Sequence, residues 1–356
     1  MNKLVLIPII IGGVLVTAGA VALGVAIASA KNEEKMTTPY DFNEEITNFD
    51  FDIVTSNLEF KVSEDSSKKV IVEETERETY TVKLEDSTLK IIKNINVKKW
   101  YEYIFSWESF DRKITVYLPA GTYGDLNHKG STGDIVVPND FTFNSVNLKQ
   151  STGDIEFSGN VINDCNCNVS TGHIKLTNMK AKSMNLVAST GRIGLDNVEV
   201  EGLIKSEQDT GKLIIMNSKC ENVNAKTSTG DQIFETINVS EKMLLKASTG
   251  DIKLTKVSCK DYESKSSTGD VELNETIVSN HIQIETTTGG VDFYNSDAAT
   301  LHIKTDTGHV KGNLLTDHIF YATSDSGTPD VPHSTTGGLC EIETDTGSIK
   351  LTVGAK

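Results

Sequence analysis

Ser248-Thr249-Gly250-Asp251-Ile252-Lys253-Leu254 is one copy of a short pattern that recurs along most of this 356-residue chain. The glycine of each copy lies 19 or 20 residues from the next. A fixed period of this size is typical of a solenoid, in which each repeat stacks on its neighbour. The twelve glycines, which we predict to be structural turn residues, are Gly133, Gly153, Gly172, Gly191, Gly211, Gly230, Gly250, Gly269, Gly289, Gly308, Gly327 and Gly347.

Apolar residues keep fixed distances from these glycines. The position two after the glycine is apolar except at Gln232 and Pro329, and the position seven before it is apolar in every repeat. The position four after the glycine is also apolar, except at Gly312. The pattern predicts two short, half-buried strands in each repeat, joined at the Ser-Thr-Gly-Asp turn. Glycine suits that turn if the backbone there adopts a positive φ.

Two architectures fit this pattern. In a parallel β-solenoid each strand pairs with its counterpart one repeat away, whereas in an antiparallel meander the Thr-Gly pair is a hairpin turn. A meander would leave a large apolar face uncovered, and strands of about seven residues are too short for a membrane barrel. We therefore predict an all-β protein built on a parallel β-solenoid (β-helix) of about twelve coils of 19–20 residues, right-handed as parallel crossovers usually are.

The sequence divides into four segments. Residues 1–30 are predicted to be a transmembrane anchor or a signal peptide, residues 31–39 a polar stalk, residues 40–124 an irregular N-terminal β cap, and residues 125–356 the solenoid repeats. Terminal repeats of solenoids are usually atypical, because they close an open sheet edge. Within the cap, Ser56-Asn57-Leu58-Glu59-Phe60 resembles a degenerate copy of the repeat turn.

The N-terminal segment carries no charged residue from Leu4 to Ala30. A run of this length can span a bilayer as a helix and exceeds the apolar region of a signal peptide. Ala28-Ser29-Ala30 nevertheless resembles a cleavage site, so a cleaved signal is the alternative. Because Lys3 precedes the run, we predict a single-pass protein of the cell membrane with its N-terminus in the cytosol and its body extracytoplasmic.

The net charge of −16 limits the partners of the body. A protein this acidic is repelled by nucleic acid and by anionic headgroups, so neither is an expected ligand of the body. The five cysteines do not suggest disulfides, since Cys220 and Cys259 lie two coils apart, or about 10 Å. Cys165 and Cys167 share one strand face at a similarly unfavourable separation. We predict buried thiols.

An aromatic segment, residues 99–110, interrupts the cap. Trp and Tyr favour the membrane interface and also protein–protein hot spots, so these residues are candidates for membrane or partner contact. The alternative is that the rings cover the open end of the solenoid core. The candidate contact residues are Trp100, Tyr101, Tyr103, Phe105, Trp107 and Phe110.

Aspartates recur beside the turn glycine and form the best candidate for a metal site. Stacked carboxylates ~5 Å apart repel one another, and a hard cation such as Ca²⁺ would relieve that repulsion. Turn aspartates also accept local backbone hydrogen bonds, which is the structural alternative. The candidate ligands, taken as two runs of three consecutive coils, are Asp231, Asp251, Asp270, Asp306, Asp325 and Asp345.

The sequence contains no arrangement typical of an enzyme. The acidic residues are spread over most repeats, whereas a polysaccharide-cleaving β-helix needs a convergent pair of carboxylates. The zincin, P-loop, nucleophile-elbow and Cys-x-x-Cys motifs are absent. We therefore predict no catalytic residues and no cofactor other than weakly bound Ca²⁺.

The repeats resemble a family of bacterial envelope proteins of unknown function, described as "putative adhesins" with β-strand repeats and often linked to cell-envelope stress. The resemblance rests on the Ser-Thr-Gly-Asp-Ile-x-Leu repeats, on Leu118-Pro119-Ala120-Gly121 and on the apolar N-terminal segment, and it covers residues 40–356. It implies a surface location and supplies no catalytic residues.

We therefore expect a non-enzymatic binding or scaffold module of the cell envelope. It would contact the membrane through residues 4–30 and bind an envelope membrane protein or a glycan. The alternative is a surface adhesin whose repeat face binds glycan or a foreign surface.

Overall fold

The computed structural model describes residues 35–75, 78–95 and 112–354. All regular secondary structure in these ranges is β-strand. The N-terminal strands are β1 (Met36–Phe42), β2 (Asn48–Thr55), β3 (Asn57–Val62), β4 (Lys68–Glu74), β5 (Glu78–Glu85), β6 (Thr88–Ile95), β7 (Lys113–Leu118) and β8 (Gly121–Tyr123).

The remaining strands belong to the repeats. They are β9 (Leu126–Thr132), β10 (Ile135–Val137), β11 (Phe141–Phe143), β12 (Val146–Thr152), β13 (Ile155–Phe157), β14 (Asn160–Val161), β15 (Asp164–Thr171), β16 (Ile174–Ala181), β17 (Ser183–Thr190), β18 (Ile193–Val200), β19 (Leu203–Thr210), β20 (Leu213–Cys220), β21 (Asn222–Thr229), β22 (Gln232–Val239), β23 (Lys242–Thr249), β24 (Ile252–Thr268), β25 (Val271–Asn274), β26 (Ile277–Thr288), β27 (Val291–Thr307), β28 (Val310–Leu314), β29 (His318–Ser324), β30 (Gly338–Thr346) and β31 (Ile349–Val353).

Strands of successive repeats pair in parallel, one repeat apart. Met243 in β23 lies opposite Val223 in β21 on one side and Tyr262 in β24 on the other. Ile252 after the turn lies opposite Gln232 of the preceding coil. The predicted parallel β-solenoid is therefore confirmed, and the antiparallel meander is excluded. It has about eleven turns.

The first coil lies inside the segment predicted to be a cap. β2 pairs in parallel with β9, and β3 pairs in parallel with β10, so residues 48–62 stack on the first regular repeat. Ser56 occupies the place of the turn glycine in this coil. Its carbonyl oxygen faces Gly133, just as the carbonyl oxygen of Gly133 faces Gly153. The degenerate copy predicted from the sequence is thus a coil of the solenoid.

The other N-terminal strands close the open edge of this first coil. β4 pairs antiparallel with β1 and with β7, and β5 and β6 form an antiparallel hairpin whose second strand pairs in parallel with β2. Beneath them, Phe49, Phe60 and Phe143 meet edge to face, with ring centroids 5.6–5.9 Å apart. These aromatic contacts fill the end of the core.

Each coil has three inward-facing segments, not the two predicted. Along residues 252–259, Ile252 and Leu254 point inward, and the alternation then slips so that Val257 and Cys259 are the next buried residues. The slip occurs at Lys256, whose φ is +54°. In the first repeats the third segment forms a separate parallel sheet of β8, β11 and β14.

The C-terminal coils do not stack in chain order. β27 pairs directly with β30, so that Leu301 lies opposite Cys340, and β29 adds to the outer edge of β30. The segment between β29 and β30 then runs beside β31, where the Asp330 N–H donates to the Ile349 carbonyl at 2.9 Å. The prediction of twelve equivalent coils is wrong here, because the repeat around Gly327 is not inserted between its neighbours in sequence.

Close backbone packing explains the turn glycines. Gly250 has a φ of +130°, and a Cβ there would lie 2.3 Å from the Gly230 carbonyl oxygen. Gly308 and Gly347 lie outside the positive-φ range, yet a Cβ would still lie 2.0 Å and 1.7 Å from the preceding glycine carbonyl oxygens. Gly327 has no such contact. Positive φ, the predicted reason for glycine, is therefore only part of the requirement.

The cysteines are buried free thiols, as predicted. Burial raises the pKa of Cys220, Cys259 and Cys340 to about 12. The pKa of Cys167 is also raised, first by its hydrogen bond with Cys165 and then by burial. Thiols held in the protonated form are poor nucleophiles and poor metal ligands.

A buried histidine should make stability depend on pH. His128 is 4% exposed, its Nε2 lies 3.3 Å from Gln150 Oε1, and burial lowers its pKa to about 4. An unfolded histidine has a pKa near 6.5, so the unfolded state takes up a proton first as the pH falls from 6.5 to 4. The folded protein should then lose about 2 kcal/mol between pH 7 and pH 5, at 1.36 kcal/mol per unit of pKa difference.

Denaturant titrations at the two pH values measure this loss. The His128→Gln variant removes the titrating ring and keeps a polar side chain, so the pH dependence of its unfolding free energy should be about 2 kcal/mol smaller. If the unfolding free energies of the two proteins depended equally on pH, His128 would not be the group responsible for the loss of stability.

Candidate functional site

The aspartates after the turn glycines form a hydrogen-bonded ladder along the solenoid. Asp134 Oδ1 accepts the backbone N–H of Asp154 at 2.8 Å, and Asp154 Oδ1 accepts that of His173 at 2.7 Å. His173 continues the ladder, because its Nδ1 accepts the Arg192 N–H at 2.9 Å. Each side chain therefore satisfies a donor in the next coil, which is the structural role of turn aspartates.

The first run of predicted metal ligands belongs to this ladder. Asp231 accepts the Asp251 N–H at 3.2 Å, Asp251 accepts the Asp270 N–H at 3.0 Å, and Asp270 accepts the Gly290 N–H at 2.7 Å. Asp231 also pairs through Oδ2 with Lys212 Nζ at 2.9 Å, and this contact lowers the pKa of its carboxyl group. These interactions relieve the repulsion between stacked carboxylates without a metal ion.

The second run has a different spatial order from the one predicted. Thr307 lies opposite Thr346, and Ser324 lies opposite Thr344. Asp345 is therefore placed between Asp306 and Asp325, and the three do not follow one another in chain order. This correction follows from the position of β30 next to β27.

Within residues 35–75, 78–95 and 112–354, no group of three or more His, Cys, Asp and Glu side chains is arranged to hold a metal ion. Those side chains of the turn ladder that could serve as ligands point along the solenoid axis toward the next coil, as their hydrogen bonds show. Calcium binding by either run stays a prediction.

The six predicted aromatic contact residues, Trp100, Tyr101, Tyr103, Phe105, Trp107 and Phe110, lie outside the described ranges. The two chain ends that lead into this segment are described, however, and they meet at a buried ion cluster. Glu78 Oε1 lies 2.7 Å from Lys93 Nζ, and Glu78 Oε2 contacts Arg112 Nη2. All three side chains are almost fully buried.

This ion cluster was missed in the sequence, although a signal for it was present. The alternation that points Tyr80 inward also points Glu78 inward, and Lys93 follows Leu89 and Ile91 on the buried face of β6. Charged residues in apolar columns are rarely buried unless they are paired. The cluster therefore holds together the described chain before residue 96 and the described chain after residue 111.

A second column of turn residues was also missed. At the slip in each coil, six positions after the glycine, seven successive repeats carry a non-glycine residue with φ between +47° and +56°. Asparagine is the residue that tolerates this conformation best after glycine, and it fills four of the seven positions. The column consists of Asn178, Asn197, Asn217, Thr236, Lys256, Glu275 and Asn295.

The described part of the chain contains no helix long and apolar enough to cross a membrane. The predicted membrane segment, residues 4–30, lies outside the described ranges.

Comparison with solved structures finds proteins of similar extent and low sequence identity. A "putative adhesin" from Bacteroides fragilis NCTC 9343 is 13% identical, with 90% of this chain and 97% of that chain covered and a TM-score of 0.28. A "putative adhesin" from Parabacteroides distasonis ATCC 8503 is 11% identical, with 90% and 98% covered and a TM-score of 0.31. A "putative lipid binding protein" from the same organism is 15% identical, with 90% and 98% covered and a TM-score of 0.30.

No curated protein was found to match this sequence. The model of the Toastrack DUF4097 family, by contrast, matches residues 46–231 and again residues 206–353. Together these two matches span the first coil, the regular repeats and the reordered C-terminal coils. The chain therefore belongs to the Toastrack DUF4097 family.

Proposed function

We propose that this protein is a non-enzymatic, membrane-anchored binding or scaffold module on the extracytoplasmic side of the bacterial cell envelope, with a role in the envelope stress response. The anchor would be residues 4–30, which carry no charge and follow Lys3. The bound partner would be another envelope membrane protein or a glycan.

The observation that carries the proposal is the register of the exposed side chains. Lys226, Lys246 and Lys265 lie opposite one another in consecutive coils, and the residues that flank them are aligned in the same way. Ion pairs between coils hold this surface in place, for example between Lys265 and Glu285 at 2.6 Å. A rigid polar array of this kind has little conformational entropy to lose on binding an extended partner.

The chemistry of the described residues supports binding better than catalysis. A catalytic site needs a nucleophile or an acid–base pair with perturbed pKa values in a cleft. Glu199, Glu207 and Glu285, which lie on the repeats, instead have their pKa values lowered by hydrogen bonds from lysines, as Glu199 does between Lys219 and Lys180. Charges of this kind form a solvated surface and do not exchange protons near neutral pH.

Protease treatment of intact bacterial cells tests the anchor and the location. The full chain should sediment with membranes, and its repeat body should be digested by protease added outside the cell. A variant without residues 4–30 should be soluble in the cytosol and protected from the protease. A full chain that is protected, or that stays soluble, would contradict the proposal.

Crosslinking on the same cells tests for a partner. We expect one dominant envelope membrane protein to be captured by the full chain and lost from a variant without residues 99–110. The variant keeps the sequence of every repeat, so loss of capture by a variant that still melts cooperatively would assign the contact to the cap. If neither a protein nor a glycan is captured, the binding role is wrong.

A further inference from the structure

An open groove runs along the solenoid beside the second turn column. Its volume is about 820 Å³, within the range of ligand-binding clefts. It crosses six successive coils, from Asn160 to Ser258. Five steps at the usual strand spacing of ~4.8 Å give a length of about 24 Å. A cleft of this shape suits a linear polymer better than a compact small molecule.

The walls of the groove are polar and its floor is buried. One wall contains side chains of the left-handed column, and the other contains residues two positions further along each coil. The residue between the two walls, such as Met179 or Val198, points into the core. The polar lining consists of Asn160, Asn178, Lys180, Asn197, Glu199, Asn217, Ser218, Lys219, Thr236, Asn238, Lys256 and Ser258.

The backbone does not require so many asparagines. Thr236 and Lys256 adopt the same left-handed conformation as the asparagines of the column. Asn160 and Asn238 lie outside the left-handed positions, and Asn160 instead accepts the backbone N–H of Lys180 through its Oδ1 at 2.9 Å. Turn geometry therefore accounts for Asn178, Asn197 and Asn217 but not for every carboxamide along this groove.

These carboxamides keep hydrogen-bonding capacity for a ligand. Asn197 Nδ2 donates to Asn178 Oδ1 at 2.8 Å, and Asn217 Nδ2 donates to Asp196 Oδ1 at 2.8 Å. Each amide has two N–H groups and an oxygen with two lone pairs, so each of these bonds uses only part of the capacity. A row of groups that both donate and accept matches the hydroxyl and acetamido groups of a sugar chain.

The groove is lined by three lysines and one glutamate, so its charges are only partly compensated. Glu199 lies between two lysines, 3.0 Å from Lys180 Nζ and 2.9 Å from Lys219 Nζ. The whole protein carries a charge of −16, which opposes the approach of a polyanion. An uncharged polymer meets no such barrier.

We propose that this groove binds an uncharged, linear β-linked polysaccharide, with one sugar unit contacting roughly one coil. The inference rests on the proposed binding function and deepens it, because it assigns the site and the chemical class of the ligand. The asparagines of the groove hydrogen-bond the sugar chain along its length.

Calorimetric titration of the full chain in detergent with chitohexaose, a β-1,4-linked hexamer of N-acetylglucosamine, tests the proposal. We expect saturable binding that changes little with salt concentration. The Asn197→Gly/Asn217→Gly double variant should bind about tenfold more weakly, the effect of losing one or two net hydrogen bonds. Glycine keeps the left-handed backbone and removes both side chains, together with their hydrogen bonds to Asn178 and Asp196.

Asn295→Gly is the matched control, since Asn295 has the same backbone conformation but lies outside the groove. Its affinity should equal that of the unmodified chain, and thermal melting should show all three proteins folded. Absence of binding, equal affinities for the double variant and the control, or binding only of an anionic polymer with strong salt dependence would overturn the proposal. A protein captured on cells together with no chitohexaose binding would overturn the groove assignment and leave the scaffold function standing.

Discussion

Replacing Gly250 by alanine is expected to lower the free energy of unfolding by about 2–5 kcal/mol. The residue has a φ of +130°, where a side chain costs roughly 1–3 kcal/mol of backbone strain. The new Cβ would also lie 2.3 Å from the oxygen and 2.5 Å from the carbon of the Gly230 carbonyl. Both atoms belong to a hydrogen-bonded backbone that cannot move aside locally, and such overpacking typically adds ~1–3 kcal/mol.

Gly327→Ala is the control for this effect. Gly327 has the same place in the sequence repeat, but its nearest contacts to a Cβ are at 3.5 and 3.7 Å, an ordinary packing distance. Its φ is outside the positive range that strains side chains. Denaturant unfolding should therefore separate the two variants clearly, with Gly327→Ala close to the unmodified protein. Equal destabilisation of both would mean that the turn stack is not formed by contact between successive glycines.

Glu78→Gln should destabilise the protein by about 3–5 kcal/mol, the usual effect of removing one partner from a buried ion pair. Lys93 is 0% exposed and Arg112 5% exposed in their side chains, and Glu78 contacts both. The amide is nearly the same size as the carboxylate, so the packing is preserved while the negative charge that contacts both cations is removed. The same change should make limited proteolysis between Ile95 and Arg112 faster, because Lys93 and Arg112, on either side of this stretch of sequence, both contact Glu78.

Glu85→Gln, at the other end of β5, is the control that separates the effect of losing a buried charge from the effect of losing an exposed one. Glu85 pairs with Lys83 at 2.7 Å and with Lys90 at 2.9 Å, but all three side chains are exposed or half-exposed. Surface ion pairs contribute little to stability, so the free energy of unfolding should not change measurably. If Glu78→Gln lowered the free energy of unfolding as little as Glu85→Gln, the ion cluster would have to be hydrated. It would then not stabilise the N-terminal strands.

The repeat columns were sufficient to predict a parallel β-solenoid and two of the three inward-facing segments of its regular coils. Ile252 and Leu254 mark the buried face after the turn, and Met243 marks the buried face before it, as their places in the core confirm. Equivalent residues then stack on one another, because the parallel register places the same repeat position of successive coils opposite each other. The family resemblance seen in the turn motif is confirmed by the match to the Toastrack DUF4097 model.

The candidate sites were predicted less well. The aspartates beside the turn were located correctly, but their hydrogen bonds to the next coil depend on distances between coils that the repeat does not encode. The slip at Lys256 escaped detection because the residues around it still alternate in polarity on either side. The groove that follows from this slip was therefore not predicted from the sequence, although three of its asparagines, Asn178, Asn197 and Asn217, each lie six residues after a turn glycine.

The sequence by itself determined the period of the coils, the residues that face inward and the place of the glycine turn. These properties are local, since they follow from alternation within one repeat and from its exact recurrence. Only the tertiary structure decided that β30 lies between β27 and β29, and that Glu78, Lys93 and Arg112 share one buried cluster. The physical reason is that strand pairing at the ends of a solenoid depends on which sheet edge is open and on contacts between residues far apart in the chain. Neither of these produces a repeating pattern in the sequence.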